Sequence, residues 1–287
     1  MNVGLVIPSV HDSLGRWKSV FIEKMIPSLV HISNVNNLRF LFNFQGYEGD
    51  DKNLVIEAIK KINEFNDTWQ VQAIFNPMYN PVSMIRIRND CMMQSPNLPL
   101  YVFLDDDVIF HDGSGDCYNE IIEFFKVTPE LGLVMSAGFL GGYNYKHTLR
   151  YSDQKWYWTN RGLFFRNFRK IIGGSSPIFT DESISECVGG YEDAVVAIEI
   201  LAMGFKLATH FNNPASHRSN QWKEREQKIL ADRLKKSVAD DEIDYIHQAP
   251  CSGLQKYLKD KFNYSGPIEV TKDFLNLMKE ISRRDNV

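Results

Sequence analysis

An α/β protein with a mainly parallel sheet flanked by helices is predicted by three observations. Short apolar runs rich in β-branched and aromatic residues recur over residues 3–137, and segments with helical spacing of apolar residues separate them. One run, residues 100–104, is apolar without interruption, as suits a strand covered on both faces. It ends in three consecutive carboxylates, Asp105, Asp106 and Asp107, and in such sheets ligands gather at the carboxyl ends of strands.

Residues 3–7 read as the first strand, broken by Pro8 and Ser9. Residues 17–30 read as a helix with Val20, Phe21, Ile26 and Leu29 as contacts, which Pro27 kinks or shortens. A second strand is expected over residues 39–44. The helix after it, 52–65, carries Val55, Ile59 and Ile62 on one face. A third strand over 70–75 precedes a helix over 81–94, where Pro81 suits the first turn. After the acidic strand come a helix over 116–126 and a short strand over 133–137.

Beyond Gly138 the rhythm changes. Residues 141–180 read as a long irregular region. Residues 194–203 look helical with Gly204 as C-cap, and 205–209 form a short strand. A loop through Asn212, Asn213 and Pro214 leads to His217. Residues 222–236 form a charged helix, and Thr271 caps a last amphipathic one. There is no internal repeat or low-complexity tract.

The chain has 287 residues, 44% hydrophobic and 24% charged, which suits one large α/β domain with an extension. A net charge of −4 excludes an overall basic surface and leaves room for a local basic patch. Cys91, Cys117, Cys187 and Cys251 are scattered without C-x-x-C spacing, so they read as reduced, buried thiols. No apolar run approaches the roughly 18 residues of a membrane span. The first residues enter a strand with no basic or long apolar leader, so a cytoplasmic location is expected, the host cytoplasm if the chain is viral.

Three adjacent carboxylates repel one another, so a strand ending in them calls for a compensating charge. A hard divalent cation, Mg2+ or Mn2+, supplies it, because such ions take carboxylate oxygens together with substrate phosphates. The plain alternative is a solvated acidic turn.

Four segments, in order, carry a resemblance to the GT-A-fold nucleotide-sugar glycosyltransferases, close to family 2. They are Val6, Ile7, Pro8, Ser9; then Arg86, Ile87, Arg88, Asn89; then Phe103 to Asp107; then Gly189, Gly190, Tyr191, Glu192, Asp193 ahead of Gly204, Phe205, Lys206. The resemblance spans roughly residues 3–217 and implies a Rossmann-like GT-A sheet. It implies that Asp105 and Asp107 hold Mn2+ or Mg2+ on a donor diphosphate, with Asp106 a further candidate and His217 a third ligand. His210 and His111 are lesser candidates. Pro8, Ser9, Arg86, Arg88, Asn89, Asp105 and Asp106 would contact the donor, expected to be a UDP-sugar, and Arg88 suits phosphate because a guanidinium binds it bidentately. Asp193 would be the general base of an inverting transfer, with Glu192 its substitute; a helix N-cap is the structural alternative. One departure stands out: after the second strand, residues 43–51 lack the usual acidic and small residues, and Asp50 or Asp51 would have to substitute.

Residues 143–170 hold seven basic side chains (Lys146, Arg150, Lys155, Arg161, Arg166, Arg169, Lys170) against one acid, Asp153, with nine aromatics interleaved. Basic groups neutralise backbone phosphates and aromatic faces receive unstacked bases. Lys155, Trp156, Trp158, Arg161 and Arg166 are therefore the expected acceptor contacts. The acceptor would be DNA with a hydroxymethylated pyrimidine, as in the bacteriophage enzymes that modify such bases. A saccharide acceptor, or a core role for the same aromatics, is the alternative.

The expected organisation is a GT-A-like catalytic domain, 1–217, with a donor half (1–112) and an acceptor half (113–217), and a helical C-terminal extension, 218–287, packed on it. Two other classes compete. A nucleotidyltransferase would want a Gly-rich basic signature after the first strand, which Pro8 to Asp12 lack. A binding module without turnover is disfavoured by acidic motifs at both ends of the site.

Overall fold

The computed structural model describes residues 1–12, 15–79, 84–136, 149–151, 162–167, 200, 205–210 and 214–217. Of the helix expected at 194–203 only Ile200, helical and buried, is among these residues; the helices expected at 222–236 and after Thr271, and the extension 218–287 as a whole, lie outside them.

Strand β1 (Val3–Val10) runs past Pro8, and β2 (Leu38–Gln45) and β3 (Gln70–Asn76) follow the expected runs closely. Between β1 and β2 the helical segment changes type along its length. Wide π-type turns cover Trp17–Met25, a single α turn is α1 (Ile26–Ser28), and a 3-10 turn covers Leu29–Ile32. Pro27 has no N–H to close a regular bond to the preceding turn, so the ladder gives way there. Helices α2 (Gly49–Lys60) and α3 (Met84–Met93) flank β3 in sequence. Then come β4 (Leu100–Phe103), β5 (Val108–Ile109), α4 (Ser114–Val127) and β6 (Leu131–Ser136). The late strands are β7 (Leu149–Tyr151), β8 (Leu163–Arg166), β9 (Lys206–His210) and β10 (Ser216–His217).

Eight strands form one sheet in the order β3-β2-β1-β4-β8-β6-β9-β7, and β10 pairs with β5 in a separate two-stranded ribbon. The pairs β2–β3, β1–β2, β1–β4 and β6–β9 are parallel; β8 lies antiparallel between β4 and β6, and β7 antiparallel on β9. The carboxyl ends of β1, β2, β3, β4, β6 and β9 therefore share one edge. Asp105, Asp106 and Asp107 follow β4 at that edge.

Alternation on the strands builds two layers. Val3, Leu5 and Ile7 face the same side as Phe40, Phe42 and Phe44 and as Leu100, Val102 and Leu104, and this side forms the main core with the 17–32 segment, α2 and α4. Burying such side chains is worth about 1.5–3 kcal/mol each. On the opposite side α3 packs against β1 and β2. There Gly4 gives room to its neighbours: a Cβ would stand 2.8 Å from both Leu98 and Tyr101.

The region expected to be irregular contains a fully internal strand, β8. Phe164 and Phe165, counted among the interleaved aromatics, are wholly buried in the sheet, so they are core and not an acceptor platform. Arg166 is likewise corrected. It pairs with Leu100, at the edge away from the carboxylates, and its guanidinium donates to the carbonyls of Phe125, Thr128 and Leu131. Arg166 closes the turn between α4 and β6. Burial lowers its pKa, against the opposing charge of Glu130.

Candidate active site

The site is built on β1, β4 and α3. Asp105 continues the alternation of β4 on the α3 side, after Phe103, and Asp106 falls on the other side. Arg88 of α3 is only 1% exposed; its Nη2 donates to Asp105 Oδ1 at 3.0 Å, and the guanidinium lies 4.6 Å from the centre of the Phe103 ring. The expected compensating charge is thus supplied in part by the protein itself. Arg88 faces Asp105 from within, while Arg86, two residues earlier, is exposed and stacks over Tyr79 at 4.0 Å. Asn89 is buried beside Arg88 in sequence.

On the other side Ser9, at the end of β1 beyond Pro8, is buried and donates to Asp106 Oδ2 at 2.5 Å. Tyr47 Oη stands 2.8 Å from Ser9 Oγ. Burial pushes the Tyr47 phenol well up, against the Ser9 hydrogen bond, so it keeps its proton and donates. The result is a directed chain, Tyr47 to Ser9 to Asp106. Burial also pushes Asp106 up to about 7; the charges of Asp107 and Asp105 add to this, and the Ser9 hydrogen bond and the charge of Arg16 oppose it.

His217 reaches the same turn through the backbone: β10 pairs with β5 so that His217 lies opposite Val108, the residue after Asp107. The chain folds back over more than a hundred residues to bring this about. Carboxylate oxygens such as those of Asp105, Asp106 and Asp107 are the hard donors that Mg2+ or Mn2+ prefers. Among the described residues no three His, Cys, Asp or Glu side chains converge as a ready-made ligand cluster. Asp193, Glu192, Lys155, Trp156, Trp158 and Arg161 lie outside the described residues.

At the ends of β2 and β3 stands a polar network that was not foreseen. Gln45 Nε2 donates to Asn43 Oδ1 at 2.7 Å, and Asn76 Nδ2 to the same oxygen at 3.2 Å. Asn43 Nδ2 reaches Ile87 O at 3.3 Å and Asp90 Oδ2 at 3.4 Å, and Tyr79 Oη donates to Asp90 Oδ2 at 2.6 Å. Asn43 and Gln45 are fully buried, so the network ties α3 to the sheet. The available signal was two amides inside an aromatic strand. Of the two substitutes expected after the second strand, Asp51 faces His11 Nε2 at 3.0 Å and Asp50 is in the first turn of α2. A hollow lined by Val30, His31, Asn34, Asp112, Gly113 and Asp116 contains none of the three carboxylates.

No protein-family profile matches this sequence, and no curated protein does. Solved structures do match in fold. The mannosyltransferase PcManGT from Pyrobaculum calidifontis, solved with GDP-Man and Mn2+, has a TM-score of 0.50 at 12% identity, covering 99% of this chain and 86% of that one. A 1–349 fragment of S. aureus TarS gives 0.46 at 11%, covering 99% and 81%. A cytidylyltransferase from Leptospira borgpetersenii gives 0.43 at 14%, covering 86% and 93%. At 12% identity the mannosyltransferase match establishes the fold, which is of the GT-A type. The chain is an α/β protein of that class with a carboxylate turn at its ligand edge.

Arg88→Met removes the guanidinium that faces Asp105 within a run of three carboxylates, and we expect it to lower stability by about 3 kcal/mol in urea denaturation. Adding Asp105→Asn should recover part of that; a neutral Arg88→Met would contradict the pairing. Asp106 gives a pH test. Its folded value is raised above the ordinary 3.8, so its contribution is fully present below about pH 4 and lost as pH rises through about 7. In chelator-containing buffer, Asp106→Asn should flatten the decline of stability across that window and leave a variant firmer than wild type at pH 8.

Proposed function

We propose that this chain is a metal-dependent, inverting glycosyltransferase that moves a sugar from a nucleotide-sugar donor to a hydroxyl group. The observation that carries the reading is the carboxylate turn, held at the ligand edge of a GT-A sheet by Arg88 on one side and Ser9 on the other. Asp105, Asp107 and His217 would hold Mn2+ or Mg2+, which supplies Lewis-acid neutralisation of the departing diphosphate. The protein's own groups do the remaining work. Arg88 fixes Asp105, Tyr47 and Ser9 fix Asp106, and exposed Arg86 would contact donor phosphate.

In the transfer, the acceptor oxygen attacks the anomeric carbon. The sugar–phosphate bond breaks with its electron pair leaving on the diphosphate, and the acceptor proton passes to Asp193, with Glu192 as the substitute base. The preferred acceptor is a hydroxymethylated pyrimidine in DNA, read from the basic and aromatic composition of residues 143–161. With Arg166, Phe164 and Phe165 assigned to the core, Lys155, Arg161, Trp156 and Trp158 carry that reading. A saccharide acceptor is the outcome to expect if DNA fails.

The donor half is tested by thermal shift with UDP-, GDP- and other nucleotide sugars, with and without Mn2+. One donor at about a hundred times its Kd should add about 2.7 kcal/mol, several degrees in Tm, only with the metal present. Asp107→Ala should abolish that shift. A response to CTP and sugar phosphate alone would point to nucleotidyl transfer, and a shift that survives Asp107→Ala would overturn the metal assignment.

The acceptor half is tested by DNA binding at graded salt. Lys155→Ala with Arg161→Ala should weaken it and reduce the salt slope by about two, whereas no binding at low salt removes the DNA reading.

A further inference from the structure

Cys117, Glu120 and His210 form a cluster that the proposed chemistry does not use. His210 ends β9 and is 2% exposed; its Nδ1 lies 3.3 Å from Cys117 Sγ and its Nε2 lies 3.0 Å from Glu120 Oε2. Burial pushes the Cys117 thiol up to about 12, with the Ser136 hydrogen bond opposing and the charge of Glu120 adding to the rise. A carboxylate accepts, so Glu120 is the acceptor for the Nε2 side of the ring, and Cys117 Sγ is the partner of Nδ1. Both ring nitrogens are committed to α4, so His210 is a linker there and not a spare ligand.

The same face of α4 meets the chain again a few residues on. Gly113, Cys117 and Glu120 are spaced by four and three, which places them on one helical face. Gly113 is the N-cap of α4 at φ +87°, a left-handed backbone that suits glycine, and a Cβ there would stand 3.7 Å from Pro214 Cγ. Ala215, next in sequence, is wholly buried in the core. Ser216 and His217 then pair with Ile109 and Val108. Helix α4 thus holds the end of β9 through His210, its N-cap lies beside Pro214 just ahead of β10, and it is joined through His111 and Asp112 to the strand that carries Val108.

We propose that His210 is a positioning residue: clamped to α4 by Cys117 and Glu120, it sets where His217 stands beside the carboxylate turn. The proposal rests on the metal reading of that turn. It differs from ordinary core packing in one respect: its effect on cation binding must pass through His217.

The test is Mn2+ binding by the full-length chain without donor, read from the EPR signal of free Mn2+. Wild type is compared with His210→Phe, Glu120→Ala, Glu120→Gln, His217→Ala and the double variant Glu120→Ala/His217→Ala. Val55→Ala in α2 is the control for a general loss of stability. Glu120→Ala removes a part-exposed carboxylate and leaves the core intact, so it remains informative if His210→Phe fails to fold.

His210→Phe and Glu120→Ala should weaken Mn2+ about tenfold, the scale of groups that orient a ligand from behind. Glu120→Gln keeps an oxygen for Nε2–H and should bind within about twofold of wild type, as should Val55→Ala. In the His217→Ala background, Glu120→Ala should have no further effect, because the two act in series. The positioning role is overturned if Glu120→Ala binds Mn2+ like wild type, if Val55→Ala weakens it equally, or if the Glu120→Ala effect persists without His217. Wild type that takes up no Mn2+ overturns the reading of the carboxylate turn itself, a separate failure seen before any variant is compared.

Discussion

Three carboxylates on consecutive residues at the end of a buried strand are the constraint around which the described structure is arranged. Left alone, they would repel one another and lose hydration as the strand packs. The chain meets this by separating them. Asp105 turns to the α3 side and meets Arg88, a guanidinium with 1% exposure, while Asp106 turns to the other side and accepts from Ser9. Strand alternation makes the separation possible, and two different elements, α3 and the end of β1, are placed to receive it.

The polar network at Asn43, Gln45, Asn76 and Asp90 serves the same end from further away. Arg88 can meet Asp105 only if α3 keeps its height over β1 and β2. Asn43 fixes it by donating to the Ile87 carbonyl, one residue before Arg88, and to Asp90, two residues after it. Amides suit this place because each both donates and accepts, so a fully buried pair on one strand can satisfy each other and still reach the helix. Cost and gain are both local, and a half-satisfied version would be worse than an apolar one.

Much of this was legible in the sequence where side-chain pattern and structure obey the same period. β1 to β4 and β6 follow their apolar runs, and the carboxylates are where an α/β sheet presents ligands. What escaped was non-local. β8 has an ordinary strand composition, but nothing near it says that it inserts between β4 and β6, because the partners that bury Phe164 and Phe165 lie far away in the chain. Arg166 was read by its charge, yet its role depends on three carbonyls left open at the turn from α4 to β6. Arg88 carries the guanidinium signal in the sequence, but whether it faces a phosphate or a carboxylate depends on the facing of one helix. The place of His217 beside Val108 rests on the β5–β10 ribbon, whose two-residue strands carry no periodicity to read.

The charge of the turn bears on how it would take a cation. Arg88 is paired to Asp105, so part of the turn's charge is already met within the protein. Mg2+ and Mn2+ commonly complete their shells with substrate phosphate and water. On the proposed reading, a diphosphate donor would bring the missing oxygens and charge, and ion and donor would bind more tightly together than apart. Replacing Arg88 with a neutral residue would make the turn more acidic and shift it toward holding the ion alone. On that reading, the internal guanidinium would set the balance between a permanent metal site and one completed by substrate.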